Sequence, residues 1–208
     1  MLRVIDSLEL INSRVLCKDK NGKLDEAIHI QGTLDGACSI YSLLMDLLIL
    51  RVINHSDIRI YNTSKDYGIK KFLKILREKN GMHIEGRYYQ WIQKQINTYI
   101  PDRVSCFRKK NFDIEIVSQY INNNIPVMLS ILNKKIAHSI LCIGYESNEQ
   151  NDITKLLCLD PSSVRSEICY WNSYIDLLPN VKTKIYRFYY STMNEYVSLD
   201  DMLIIEKK

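Results

Sequence analysis

The sequence predicts an α+β protein in which a helical half comes first and an antiparallel sheet half follows. Two observations support the helical half: residues 40–53 are apolar on almost every side of a helical projection, and apolar positions recur at helical spacing as far as residue 124. The third observation is that the spacing changes to that of strands after Pro126. We therefore expect one unit over residues 1–208, with a helical lobe at about 31–124 and a sheet lobe at about 125–208.

The helical half is predicted to contain four helices, with apolar positions that lie within residues 40–53, 69–76, 88–99 and 114–121. Asn80-Gly81 and Pro101 are expected to end the second and the third helix, and the fourth is expected to begin near Asn111 or Asp113. The first helix is apolar almost all round, which predicts that it is buried on every side, although Asp46 interrupts it.

The sheet half is predicted to contain strands at residues 127–132, 136–146, 153–159, 184–190 and 202–206. Residues 133–135 are expected to form the tight turn of a hairpin between the first two strands, and residues 160–163, Asp-Pro-Ser-Ser, to end the third. The tyrosine-rich stretch 185–190 is expected to serve packing. Neither half alone carries all the reactive residues described below, so we do not divide the chain into separate domains.

Composition and charge narrow the class of protein. The chain is 46% hydrophobic, and its formal net charge of +4 comes from Lys and Arg residues that alternate with Asp and Glu. Without a basic run, nucleic-acid binding is not expected. The N-terminus has no apolar core of signal-peptide length, and Asp46 and Arg51 interrupt the longest apolar stretch, so we expect no membrane span and a cytoplasmic location. Export by a dedicated machinery would leave no signal in this sequence.

The six cysteines contain no Cys-x-x-Cys pair, and we therefore expect no zinc site and no other metal or cofactor. A reduced chain fits their spacing better than a disulfide framework. Cys142 and Cys158 lie in apolar strand-like runs and are expected to be small buried hydrophobic residues.

Cys38 is the candidate nucleophile because it lies where a loop meets the first turn of the buried helix. Unpaired N–H groups and the helix dipole at that position lower the pKa of a thiol. The small residues Gly36 and Ala37 would let a substrate backbone approach, and the side-chain amide of Gln31 together with the Cys38 N–H could stabilise an oxyanion. The alternative is a core cysteine beside a surface glutamine.

His138 and Asp160 complete the set of groups needed for acyl transfer. His138 opens a predicted strand, and Asp160 ends the next one 22 residues later, so a hairpin-like return would bring the carboxylate beside the imidazole. Taken singly, His138 is more often a structural strand histidine, and Asp160 is a common turn starter. The other histidines, His29, His55 and His83, are expected to have structural or surface roles.

These residues resemble the papain-like cysteine peptidases, in which a Gln-Gly pair precedes Gly-Ser-Cys-Trp at the head of the central helix. Residues 31–42 are similar to that segment, residues 126–146 to the hairpin that carries the histidine, and residues 156–162 to the strand that carries the third member of the triad. The order Cys, His, Asp agrees as well. The resemblance implies a papain-like fold in which Cys38 is the nucleophile, His138 the base and acid, Asp160 the orienting residue and Gln31 the oxyanion donor.

Three departures from papain bear on the substrate. Gln31 precedes Cys38 by seven residues, Ser39 stands where papain has Trp, and Asp160 stands where papain has Asn. The short interval between Cys38 and His138 and the Asp-Pro ending look more like bacterial peptidases that trim double-glycine leaders from bacteriocins.

The first hypothesis is therefore a bacterial cysteine peptidase that acts on a peptide or protein through a thioester. The second is an acyltransferase, a transglutaminase-like enzyme or a deamidase, because only the group that attacks the acyl-enzyme differs. The third is a binding module on a fold that has lost its activity, which the complete set of four residues disfavours.

Overall fold

The structure, a computed structural model, describes residues 1–32, 36–58, 65–77, 88–178 and 185–208. The helices in these ranges are α1 (Cys38–Ile49), α2 (His55–Ile58), α3 (Tyr67–Leu76), α4 (Tyr89–Tyr99) and α5 (Ile114–Asn122). The strands are β1 (Leu2–Val4), β2 (Leu8–Ile11), β3 (Arg14–Lys18), β4 (Leu24–Glu26), β5 (Val104–Lys109), β6 (Val127–Leu132), β7 (Ala137–Ser147), β8 (Ile153–Leu159), β9 (Ser173–Asp176), β10 (Phe188–Tyr190) and β11 (Glu195–Lys207).

The four predicted helices correspond to α1, α3, α4 and α5, and the predicted strands correspond to β6, β7, β8, β10 and β11. The fourth helix begins after Asp113, whose side chain accepts hydrogen bonds from the N–H groups of Glu115 and Ile116 at 3.1 and 3.3 Å. The predicted helix end at Asn80-Gly81 and the predicted strand start at residue 184 lie outside the described residues.

Six strands were not predicted: β1 to β4, β5 and β9. The prediction of a helical lobe over residues 31–124 is corrected in one respect, because β5 lies within it and pairs with β11 along six residues. These strands are short and half exposed, so their own sequences carry little alternation. β1 and β5 gain stability from pairing with distant strands, as in the ion pair between Arg108 of β5 and Asp201 of β11.

The main sheet is antiparallel at every pairing, and its strands close into a ring. The order among the described residues is β7, β6, β11, β10, β9 and β8, and β8 then pairs with β7 again. β1 adds to β7 so closely that a side chain on Gly144 would collide with the backbone of Arg3. A second sheet holds β2, β3 and β4.

The central helix α1 packs against β7, β6 and β3, which explains why nine of its twelve residues are buried. Core residues from the helices and from the main sheet belong to one continuous cluster. Cys142 and Cys158 are fully buried in that cluster, as predicted. No helix among the described residues is both long and apolar enough to cross a membrane.

Asp46 is the unexpected member of α1. Its carboxyl group is fully buried, and neither oxygen has a hydrogen-bond partner among the described residues. Burial raises its pKa well above the usual value of 3.8, so the native protein keeps this group protonated.

Replacing Asp46 with Asn is expected to stabilise the protein at neutral pH. Above pH 3.8 the unfolded chain releases the Asp46 proton and the native chain retains it, so the free energy of unfolding falls as the pH rises, until the native pKa is reached. The free energy of unfolding should be measured with urea for both proteins from pH 5 upward. The wild-type value should fall relative to that of Asp46→Asn by about 1.4 kcal/mol per pH unit. Asp102→Asn at an exposed position is the control, and parallel pH curves for wild type and Asp46→Asn would contradict the prediction.

Candidate active site

Cys38 is the first residue of α1 and is half-buried. The N-cap residue Ala37 provides no side-chain capping bond, and backbone groups of Ser39 and Ser139 hydrogen-bond to the sulfur. Burial alone would raise the pKa of the thiol. The hydrogen bond and the charge of His138, together with the two backbone groups, outweigh burial and hold the pKa below its usual value of 9.0.

Two hydroxyl contacts join β7 to helices beside the position of the thiol and the imidazole, one to α1 and one to α4. The Ser42 hydroxyl donates to the Ser139 carbonyl oxygen at 3.0 Å, and the Tyr89 and Ser139 hydroxyls lie 2.7 Å apart. All these groups are buried, and Ser139 directly follows His138. These contacts of Ser139 therefore help to fix the position of His138 relative to the first turn of α1.

His138 is the second residue of β7, and its side chain is buried. Its Nε2 lies 2.8 Å from Asp160 Oδ1, which leaves Nδ1 for the Cys38 thiol. Burial alone would lower the pKa of the imidazole, but hydrogen bonds to Asp160 and Cys38 and their charges raise it to about 9. The imidazole is therefore a strong proton acceptor for the thiol.

Asp160 follows β8 and is fully buried. Its Oδ1 accepts from His138 and, at 2.8 Å, from the Ser162 N–H, and its Oδ2 accepts from the Tyr190 hydroxyl. Burial would raise the pKa of this carboxyl, but these donors and the His138 charge hold it below the usual value. Asp160 is thus an ionised carboxylate, and His138 Nε2–H donates to it.

Asn172 holds the backbone of Asp160 from the opposite side. The Asp160 N–H donates to Asn172 Oδ1 at 2.7 Å, and Asn172 Nδ2 donates to the Asp160 carbonyl oxygen at 2.9 Å. The Asn172 N–H in turn donates to the Cys158 carbonyl oxygen at 3.2 Å. Main chain and carboxylate of Asp160 are therefore both held in place.

Gln31 reaches the site through the turn that follows Asp160. Its N–H donates to the Pro161 carbonyl oxygen at 2.8 Å, and its Nε2 donates to Ser162 Oγ at 2.7 Å. Ser162 Oγ lies 3.4 Å from His138 Nε2. The predicted glutamine is therefore bound beside the imidazole–carboxylate pair.

Two of the remaining histidines, His29 and His55, belong to a different cluster. The rings of His29 and His55 pack on each other with centroids 5.3 Å apart. Burial, followed by the charges of His55 and Arg165, lowers the pKa of His29 to about 4, so it is neutral at pH 7. His83 lies outside the described residues. Within the described ranges, no group of three or more His, Cys, Asp or Glu side chains could hold a metal ion.

The structure thus brings together Cys38, His138 and Asp160; the last two come from consecutive strands, and Cys38 precedes His138 by a hundred residues. Reasoning from the sequence missed the hydrogen bonds of Tyr190, Asn172 and Ser162. The sequence predicts only a packing role for Tyr190. It is fully buried and in addition donates to Asp160. Its position within a tyrosine-rich run is the only sequence signal, and it does not distinguish the two roles.

Comparison with known proteins gives two similar solved structures and one family match. A crystal structure described as a C39-like peptidase from Bacillus anthracis is similar over 87% of this chain and 94% of its own, at 14% identity and a TM-score of 0.48. UfSP from C. elegans is similar over 99% of this chain and 34% of its own, at 12% identity and a TM-score of 0.48. The search of curated proteins gave no match. The model of the Peptidase_C39 like family matches residues 24–194, which confirms the resemblance to papain-like cysteine peptidases, and the chain therefore belongs to the Peptidase_C39-like family.

Proposed function

We propose that this protein hydrolyses a peptide bond through a thioester, with Cys38 as nucleophile, His138 as base and acid, and Asp160 as orienting residue. The observation that carries the proposal is the 2.8 Å contact between His138 Nε2 and the buried carboxylate of Asp160, on a ring that also lowers the pKa of the Cys38 thiol. A lowered thiol pKa beside a raised imidazole pKa favours transfer of the proton from sulfur to nitrogen.

In the first step the Cys38 thiolate attacks the carbonyl carbon and forms a C–S bond, and the carbonyl oxygen becomes an oxyanion. The Cys38 N–H and the Gln31 amide are the proposed donors to that oxygen. The C–N bond then breaks as His138 gives its proton to the leaving amine. Water, deprotonated by His138, attacks the thioester and releases the acid and the thiol.

An acyltransferase or a deamidase would use the same thioester and differ only in the acceptor or in the amide that is attacked. The geometry of Cys38, His138 and Asp160 serves all these reactions equally. Family membership favours hydrolysis of a peptide or protein.

Wild-type protein incubated with a mixture of denatured bacterial proteins is expected to create new peptide termini that mass spectrometry can identify. Cys38→Ala should produce none of them, because Ala has no nucleophile. Products that change mass without cleavage, and only with wild type, would favour acyl transfer or deamidation. Equal products from wild type and Cys38→Ala would contradict a thiol mechanism.

A further inference from the structure

The turn after Asp160 contacts three of the residues on which the proposed function rests. The Ser162 N–H donates to Asp160 Oδ1 at 2.8 Å, and the Ser162 hydroxyl oxygen lies 2.7 Å from Gln31 Nε2 and 3.4 Å from His138 Nε2. The Pro161 carbonyl oxygen also accepts from the Gln31 N–H at 2.8 Å. Main chain and side chain of Gln31 are therefore bound to one turn that already holds the carboxylate.

The Ser162 hydroxyl faces two donors at once. Because Asp160 is a carboxylate, His138 Nε2 carries a proton and cannot accept one. Gln31 Nε2 is also a donor. Among the described residues, the Ser162 hydroxyl proton therefore has no acceptor in this arrangement. Gln31 Oε1, at the other end of the same amide, is buried and has no donor there either.

A half-turn of the Gln31 amide about its last side-chain bond satisfies both groups. The Ser162 hydroxyl then donates to Oε1, and the NH₂ group takes the place that Oε1 held. The shape of the side chain hardly changes, because the two ends of an amide are nearly the same size. An NH₂ group in that buried place is free to donate to a developing oxyanion.

We propose that Ser162 is a positioning residue whose hydroxyl selects the orientation of the Gln31 amide, and so determines whether Gln31 presents N–H groups to the oxyanion. The inference rests on the proposed function. It adds that one residue of the turn at 160–162 serves two groups of the site: the Ser162 N–H holds the carboxylate, and the Ser162 hydroxyl orients the oxyanion donor.

The test compares two reactions of Cys38. p-Nitrophenyl acetate acylates the thiol through a tetrahedral oxyanion, whereas iodoacetamide alkylates it by direct displacement and forms none. Ser162→Ala is expected to slow the burst of nitrophenolate by about 10- to 100-fold, less than the roughly 10²–10³-fold cost of losing a whole donor. The alkylation rate of Cys38 and its pH profile should stay at the wild-type values, and Ser162→Thr, which keeps the hydroxyl, should restore the burst.

The matched control is Ser163→Ala, because that neighbouring hydroxyl donates to the Asn172 carbonyl oxygen at 3.0 Å instead of contacting Gln31. A double-mutant cycle completes the test: in a Gln31→Ala background, Ser162→Ala should have no further effect on the burst. An additive effect, an unchanged burst in Ser162→Ala, or an equal loss of alkylation would overturn the inference. If the wild-type protein shows no Cys38-dependent burst, the proposed function is wrong as well. A wild-type burst that Ser162→Ala leaves unchanged overturns only the inference about Ser162.

Discussion

Replacing His138 with alanine is expected to slow acylation of Cys38 by p-nitrophenyl acetate by about 10²–10⁴-fold, the range of a lost general base. In the wild type, the hydrogen bond and charge of His138 hold the pKa of the thiol below 9.0. The imidazole in turn keeps its proton up to a pKa of about 9. The reactive thiolate–imidazolium pair should therefore exist over a wide range of pH below 9.

The same substitution should move the pH profile of alkylation to higher pH. Without the imidazolium, burial remains as the largest influence on the Cys38 thiol, and burial raises its pKa. The rate of Cys38 alkylation by iodoacetamide can be measured by mass spectrometry of the individual cysteines between pH 5 and 10. In the wild type this rate should already rise at low pH. In His138→Ala it should rise only near or above pH 9.

His55→Ala is the matched control, since that histidine is also mostly buried but packs on His29. It should leave both the burst and the alkylation profile of Cys38 unchanged. Equal profiles for wild type and His138→Ala would show that the imidazole does not activate the thiol, and the proposed mechanism would then be wrong.

Replacing Asp160 with alanine is also expected to slow acylation strongly, by as much as about 10⁴-fold. The substitution removes the acceptor for His138 Nε2–H, so the ring can turn and its pKa falls toward the usual 6.5. It also leaves the buried hydroxyl of Tyr190 and the Ser162 N–H without their acceptor. We expect a cost of about 1–3 kcal/mol in stability for each unpaired buried donor.

Asp160→Asn separates the charge from the geometry. The amide oxygen can still accept from His138, but the negative charge that raises the pKa of the imidazole is gone. A less basic imidazole is a weaker proton acceptor for the Cys38 thiol, so the rise of the alkylation profile should move to higher pH, and acylation should lose less rate than in Asp160→Ala.

The controls for Asp160 separate folding from catalysis. Asp152→Ala, at an exposed position before β8, should change neither rate nor stability. Tyr190→Phe should lower stability while it retains most of the acylation rate, because the carboxylate keeps its bonds to His138 and Ser162. A rate for Asp160→Ala within about threefold of wild type would contradict its role as orienting residue.

The parts of the fold that were predicted correctly are those whose burial is visible in local periodicity. Helix α1 and strand β7 are buried on nearly every side, and their apolar runs are long and continuous. Strands β2, β3 and β4 have three to five residues each, with half-exposed faces. Short strands with half-exposed faces show little apolar alternation, so their local sequence carries a weak signal even where each pairs with the next strand along the chain.

In the candidate site, too, some residues could be predicted from the local sequence and others could not. Cys38, His138 and Asp160 could be selected because each stands at the start or the end of a recognisable element. The partners Tyr190 and Asn172 could not, since neither the tyrosine-rich run nor the residues before β9 indicate a contact with Asp160, which forms only after the sheet has closed. The sequence predicts that Asp46 interrupts an apolar helix, but its complete burial with no hydrogen-bond partner among the described residues depends on what packs around it.

By itself, the sequence determined the reactive groups, their order, and the elements that carry them, because thiol, imidazole and carboxylate chemistry and helix or strand periodicity are local properties. Only the tertiary structure decided the contacts between them. The pKa shifts of Cys38 and His138 depend on burial and on charges contributed by segments a hundred residues away. The orientation of Gln31 depends likewise on a hydroxyl 131 residues further along the chain. Electrostatic and hydrogen-bond energies depend on distances in space, and folding alone establishes those distances.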